Sequence, residues 1–134
     1  MLDEAWKRFQ YGRKRVDLRL GDMEHLPLSD GEADCAVISM VLHHLSRPEV
    51  AIAEACRVLK PEGSLIIADF ARHGNEAMRH TYNDRWLGFS SHDISRWLSH
   101  NGFTLTLSDA YKIKHSMEIM IFKANKKGEK EWPV

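Results

Sequence analysis

Apolar side chains recur along this chain with two different periods, and the switch between them predicts its elements. Leu2, Ala5, Trp6 and Phe9 stand at helical spacing with charges between them, which predicts an amphipathic helix over residues 1–14. "VDLRL" (16–20) instead alternates, Val16, Leu18 and Leu20 against Asp17 and Arg19, the signature of a strand buried on one face at a sheet edge. "GDMEHLPLSDGEAD" (21–34) carries Gly21, Pro27 and Gly31 and reads as loop. "CAVISM" (35–40) is apolar on both faces, as in a central parallel strand covered by helices on each side.

Ser46 and Glu49 stand at capping-box spacing ahead of the stripe Ile52, Ala55, Cys56 and Leu59, and Pro61 with Gly63 should stop that helix. "SLIIADF" (64–70) is a second apolar strand, so residues 34–69 predict one right-handed, parallel strand–helix–strand crossover. A weak helix is expected over 75–86. A stronger one should begin at Ser90 or Ser91, bury Ile94, Trp97 and Leu98, and end at Gly102. "FTLTLSDA" and "IKHSMEIMIFKA" alternate, predicting an antiparallel hairpin with its turn near Tyr111 and Lys112. Together these elements give a three-layer α/β fold. One domain over residues 1–123 accounts for them, and 124–134 reads as a flexible, solvated tail.

Composition narrows the function. The 134 residues carry 19 Lys plus Arg against 19 Asp plus Glu, so no net positive field attracts nucleic acid. The Lys126, Lys127 and Lys130 cluster is mixed with acids and reads as tail. No apolar run approaches the ~20 residues of a membrane span, and residue 1 is followed by no signal-peptide pattern. Cys35 and Cys56 lie far apart in apolar segments and read as reduced core thiols of a cytoplasmic protein.

In an open α/β sheet, ligands bind beyond the carboxyl ends of the strands. That rule selects Gly21, Asp22 and Met23, then Ser39 to His44, then Asp69 to Arg72. At these positions, "RLGDMEHLPLSDGEADCAVISMVLHHLSRPEVAIAEACRVLKPEGSLIIADF" resembles the second half of class I S-adenosylmethionine-dependent methyltransferases. The likeness is to the UbiE-like, type 11 group, including domains fused to ArsR-type regulators, which "DRWLGFSSHDISRWLSHNGF" also resembles; "MLDEAWKRF" is similar to the helix after the family's second strand. The Asp-x-x-x-Leu-Pro loop, the His-His turn and the Leu-Lys-Pro-x-Gly turn occur in register, and the likeness covers about residues 1–123.

The resemblance implies a truncated Rossmann-like fold, with parallel strands, a C-terminal antiparallel hairpin, and the first two strands of the family missing. It implies S-adenosylmethionine as cofactor and an acceptor of unknown chemistry. The Asp matching Asp22 would accept a hydrogen bond from the adenine amino group, a task suited to an acceptor-only carboxylate. Met23 would offer its backbone N–H to the ring, and Ser39, Met40 and Val41 would lie against the methionine part. Taken without the resemblance, Asp22 has a second reading, as cap of the turn that follows it.

One departure stands out. The family grips its cofactor with a glycine-rich turn, yet no two glycines here are closer than Gly12 and Gly21. About half of that binding site is therefore expected to be missing. In the family's sheet order, 3-2-1-4-5-7-6, the missing strands would separate "VDLRL" from "CAVISM". Either these two segments pair directly, or a second copy covers the edge at residues 34–39 as a homodimer. Two functions follow: methyl transfer completed by a partner chain, or a non-catalytic remnant serving as a dimerising or binding module. A fragment of a larger enzyme is a third expectation.

The remaining polar candidates carry blander readings. His43 and His44 are adjacent, which should aim their rings apart, and neither Cys-x-x-Cys nor His-Glu-x-x-His occurs; no metal site is expected. They read as the polar mouth of a strand, and a proton-transfer role lacks a visible partner. Asp69 is a candidate cap of the next helix, and "DRWLGF", with Trp86 and Phe89, reads as core and lid packing. His73, His80, His92 and His100 fall in polar contexts expected to be solvated.

Overall fold

The computed structural model describes residues 2–10 and 15–128. Its elements are helix α1 (Leu2–Gln10), strand β1 (Ala33–Ser39), helix α2 (Pro48–Val58), strand β2 (Leu59–Phe70), helix α3 (Ala77–Thr81), helix α4 (Ser91–His100), and strands β3 (Phe103–Lys112) and β4 (Glu118–Lys126). Single 3-10 turns occupy Leu42–His44 and Lys114–Ser116. The four strands form one sheet in the order β1-β2-β4-β3. β1 and β2 are parallel, joined through α2, while β2–β4 and β3–β4 are antiparallel. This is the order of the last four strands in the family's 3-2-1-4-5-7-6 sheet.

One face of the sheet carries the core. Ile38 of β1, Leu65 and Ile67 of β2, and Met120, Phe122 and Ala124 of β4 alternate inward, against Ala51, Ile52 and Ala55 of α2 and Ile94 and Leu98 of α4. Each buried Leu, Ile or Phe stabilises by about 1.5–3 kcal/mol, so this face dominates the fold. The other face is not covered in the same way. Val37 is 63% exposed, and Ile66, Ala68 and Ile121 are only half-buried. Two layers thus replace the expected three among the described residues, because one helical layer is not present to meet that face.

Several expectations change at their boundaries, each for a physical reason. "VDLRL" belongs to no strand, and it does not pair with "CAVISM". A strand exists only through its ladder, and Arg19 is drawn elsewhere, to Asp17 at 2.9 Å, Glu32 at 3.1 Å and the Pro27 carbonyl at 2.9 Å. Leu20 stays 84% exposed. Of the expected 1–14 helix, Leu2–Gln10 forms, with Trp6 and Phe9 exposed, and residues 11–14 lie outside the described set.

The Ser46–Glu49 capping box does not form. Arg47 is the N-cap and makes no side-chain cap, because Pro48, whose fixed φ suits a first helical position, starts α2. That helix passes directly into β2 at Leu59. The "KPEG" turn is instead a bulge inside β2: Ala33 pairs with Leu59 and Cys35 with Ser64, so residues 60–63 loop out, with Glu62 at φ +67°. A Cβ on Gly63 would lie 2.8 Å from the Lys60 carbonyl oxygen, which explains the glycine.

α4 follows expectation, with the Ser90 hydroxyl accepting from Asp93 N at 3.1 Å and Gly102 at φ +81° after its end. The 75–86 helix shrinks to Ala77–Thr81. The hairpin turn lies at 113–117, later than Tyr111 and Lys112. Residues 124–126, expected in the tail, complete β4: Ala124 is fully buried, and Lys126 Nζ donates to the Cys56 and Leu59 carbonyls at 2.7 and 2.8 Å. Both cysteines are free, but Cys35 is exposed, since it sits on the uncovered face of β1.

Candidate functional site

Because β1 and β2 are parallel, both deliver their carboxyl ends to one edge of the sheet, with Ser39 paired to Ala68. There the chain turns sharply. Met40 N donates to the Ala68 carbonyl at 2.8 Å, and Met40 takes φ +56°, a left-handed conformation that costs a side-chain-bearing residue about 1–2 kcal/mol. Leu42, fully buried, anchors the 3-10 turn that follows. Ser39, Met40 and Val41 therefore form a fixed, strained corner at the strand ends.

Asp22 and Met23 sit on a separate turn. Glu24 N donates to Asp22 Oδ1 at 2.8 Å and His25 N to the Asp22 carbonyl at 3.0 Å, so Asp22 does cap its own turn with one carboxylate oxygen. The residue as a whole is exposed. Met23 and Val41 both pack against the central core cluster. The turn is strapped to α2 and to the segment after β1. Glu24 accepts from Arg47 at 2.6 and 3.2 Å, and Glu54 Oε2 accepts from Leu26 N at 2.7 Å. The Arg57 guanidinium donates to the Leu26 and Leu28 carbonyls at 3.1 and 2.9 Å and to Asp30 at 2.8 Å.

Glu54 and Arg57 hold each other as well, at 2.7 Å. The Arg57 contact holds the mostly buried Glu54 carboxyl below the ordinary carboxylate range, assisted by the Leu26 N–H and opposed by burial. Gly21 lies where a Cβ would collide with the Pro27 ring, so the loop closes tightly on itself. These straps escaped the sequence reading. Their sequence signal is thin: Glu54 and Arg57 merely stand at helical i, i+3 spacing.

Behind the strand ends lies a buried polar cluster. Asp69, at the end of β2 and 2% exposed, places Oδ1 2.6 Å from His43 Nδ1 and accepts from His43 N at 3.3 Å through Oδ2. It caps no helix, contrary to expectation. His43 is itself 4% exposed, and its carbonyl accepts from Arg85 N and Trp86 N, each at 3.0 Å. Trp86 Nε1 donates to the Leu45 carbonyl at 2.7 Å, which docks residues 84–90 onto the turn after β1. The same segment runs beside the end of β2: Phe89 N donates to Phe70 O at 2.9 Å and Arg72 N to Phe89 O at 3.0 Å. Gly88 permits this approach, with φ +74° and a site where a Cβ would strike the Ala71 carbonyl.

Burial alone would lower the His43 pKa, but the Asp69 hydrogen bond and the charges of Asp69 and Asp84 outweigh it and raise it above 6.5. The partner that the sequence did not reveal is thus Asp69, with Asp84 on the other side of the ring. Among the expected solvated histidines, His73 is half-buried, with Nε2 lacking a hydrogen-bond partner.

The residues fit one side of S-adenosylmethionine. Asp22 is exposed beside Met23, which packs with Val41 of the strand-end corner on the same core cluster, while the glycine-rich turn has no counterpart in the sequence. No helix among the described residues is long and apolar enough to cross a membrane.

Comparison with known proteins bears on the family and the fold. The family described as "Methyltransferase domain" matches residues 1–67. The ubiquinone/menaquinone biosynthesis C-methyltransferase UbiE of Roseobacter denitrificans is 35% identical over 85 residues, covering 62% of this chain and 34% of that protein. The chain therefore spans about a third of the length of such curated relatives. A SAM-dependent methyltransferase from Methanosarcina mazei superposes with a TM-score of 0.80 at 14% identity, over 96% of this chain and 78% of that one. A 1,6-didemethyltoxoflavin-N1-methyltransferase from Burkholderia thailandensis, solved with S-adenosylhomocysteine, superposes with a TM-score of 0.76 at 20% identity, over 92% and 56%. With the family match over half of its length and the last four strands of that fold in order, the chain belongs to the methyltransferase-domain family, whose cofactor is S-adenosylmethionine.

Proposed function

We propose that this chain works as the C-terminal half of an S-adenosylmethionine-dependent methyltransferase domain, completed by further strands pairing along β1. The observation that carries this reading is the open edge and face at β1. A strand of central character, with Val37 63% exposed, ends the sheet where the family places more strands. A second copy of the chain, meeting it at residues 34–39, is one source of those strands.

In the completed site Asp22 accepts the adenine amino hydrogen bond, the Met23 N–H faces the ring, and Ser39, Met40 and Val41 line the methionine end. When bound, the cofactor supplies an electrophilic methyl group. The protein's part is to orient the acceptor and exclude water. The absent glycine turn favours a second reading, a non-catalytic module that uses the same edge for association.

Calorimetric titration with S-adenosylmethionine and S-adenosylhomocysteine, paired with light scattering, separates the two. The methyltransferase reading expects submillimolar binding that accompanies association and is lost in Asp22→Ala. No heat at millimolar ligand, whatever the mass, overturns it in favour of the module.

A further inference from the structure

The carboxylate of Asp84 is buried with neither oxygen hydrogen-bonded, although its side chain is only 1% exposed. Such a group costs several kcal/mol unless something charged or protic meets it. What faces it is a pair of imidazoles. Asp84 Oδ1 lies 3.7 Å from His43 Nε2 and 3.5 Å from His44 Nδ1, and the three ligand atoms all fall within 4.8 Å of one another. These separations are too long for direct hydrogen bonds and too short to be unrelated.

They match a shared ion instead. Metal–donor bonds of ~2.0–2.2 Å at tetrahedral angles place donors about 3.3–3.6 Å apart. The adjacency of His43 and His44 does not aim them apart after all. The 3-10 turn at Leu42–His44 brings the ring centroids to 4.1 Å, tilted by 47°, so that different ring nitrogens converge on one oxygen.

Two further features point the same way. Asp69 holds His43 Nδ1 at 2.6 Å, which fixes the tautomer that leaves Nε2 free to ligate; this carboxylate–histidine arrangement is the one that orients metal-bound imidazoles. The charges also balance. Asp69 and Asp84 are 2% and 5% exposed, and no Lys or Arg among the described residues bridges either one, so a divalent cation would bring two buried carboxylates to neutrality.

We propose that His43 Nε2, His44 Nδ1 and Asp84 bind a divalent first-row transition cation, with Asp69 as the outer carboxylate. Two imidazoles favour an ion of the zinc type over magnesium or calcium. His44 is the exposed member, with 44% of its side chain open, so the site is reachable from solvent. The site stands independently of the cofactor reading, since it uses none of Asp22, Met23 or Ser39 to Val41.

The test uses metals alone on the chelator-stripped full chain. Co2+ should give visible ligand-field bands, displaced by Zn2+, and Zn2+ should raise the melting temperature while Mg2+ does not. Asp84→Asn should abolish the bands. His44→Gln, at an exposed position where misfolding is not expected, should weaken Zn2+ binding at least tenfold, and Asp69→Asn by ~10–100-fold. Affinity should fall with pH as the imidazoles protonate. Absence of Co2+ bands and of any Zn2+-induced shift overturns the proposal, as does metal binding that survives unchanged in His44→Gln and Asp84→Asn. An equal shift with Mg2+ overturns it too.

Discussion

Asp69 Oδ1 lies 2.6 Å from His43 Nδ1, joining the buried penultimate residue of β2 to the turn that follows β1. The pair links two parallel strand ends where the backbone ladder has already stopped. It also fixes the ring around which residues 84–86 dock.

Asp69→Asn keeps the shape but removes the charge that accepts from His43. Hydrogen bonds to charged groups contribute ~1.5–3 kcal/mol, and a loss of that size is expected in urea denaturation. A change below ~0.5 kcal/mol would mean that the contact is not stabilising.

Glu54 gives a pH signature. Its folded pKa is depressed below 4.5, chiefly by Arg57, so its stabilisation is present above the unfolded value and is lost as pH falls through the folded one. Wild type should therefore be more stable than Glu54→Gln at pH 7, and the gap should close as pH falls below about 4. Paired denaturation curves from neutral into acid check it, and a gap that does not narrow on acidification would contradict it.

Gly88→Ala forces a side chain into φ +74° against the Ala71 carbonyl. The left-handed cost alone is ~1–2 kcal/mol, and the collision adds to it, so a lowered melting temperature is expected. Hydrogen exchange should rise at Arg72 and Phe89, whose N–H groups bridge the two segments. Unchanged protection there would show that the docking does not depend on this glycine.

Val37→Lys probes the open side of β1. A lysine there solvates the exposed apolar surface and blunts the strand against pairing. Light scattering should show less self-association than in wild type, with little change in melting temperature. Equal masses for both proteins would remove a second copy as the source of strands pairing along β1.

The elements legible in the sequence were those with strong local pattern. α4 announced itself through Ser90, its apolar stripe and Gly102; β1 and β2 through apolar runs; and the crossover through the stop between them. "VDLRL" misled because alternation marks a surface fit for pairing, and pairing needs a neighbour. The capping-box spacing lost to Pro48, whose fixed φ set the helix start one residue later. The strand-end rule located the turn at Ser39 to Val41, whereas it placed Asp22 and Met23 after a strand that does not form, and it gave no sign of the straps from Glu54 and Arg57, because they join a helix to a distant loop.

What the sequence by itself determined is the set of local periodicities and in-register motifs: which segments are fit for helix or strand, and which family they resemble. Those are properties of neighbours in the chain. Tertiary structure alone decided which face of β1 stays open, and that His43, His44 and Asp84 converge while Asp69 supports them from behind. Side chains far apart in sequence meet only after strands pair and loops dock, and ångström-scale convergence leaves no periodic trace along the chain.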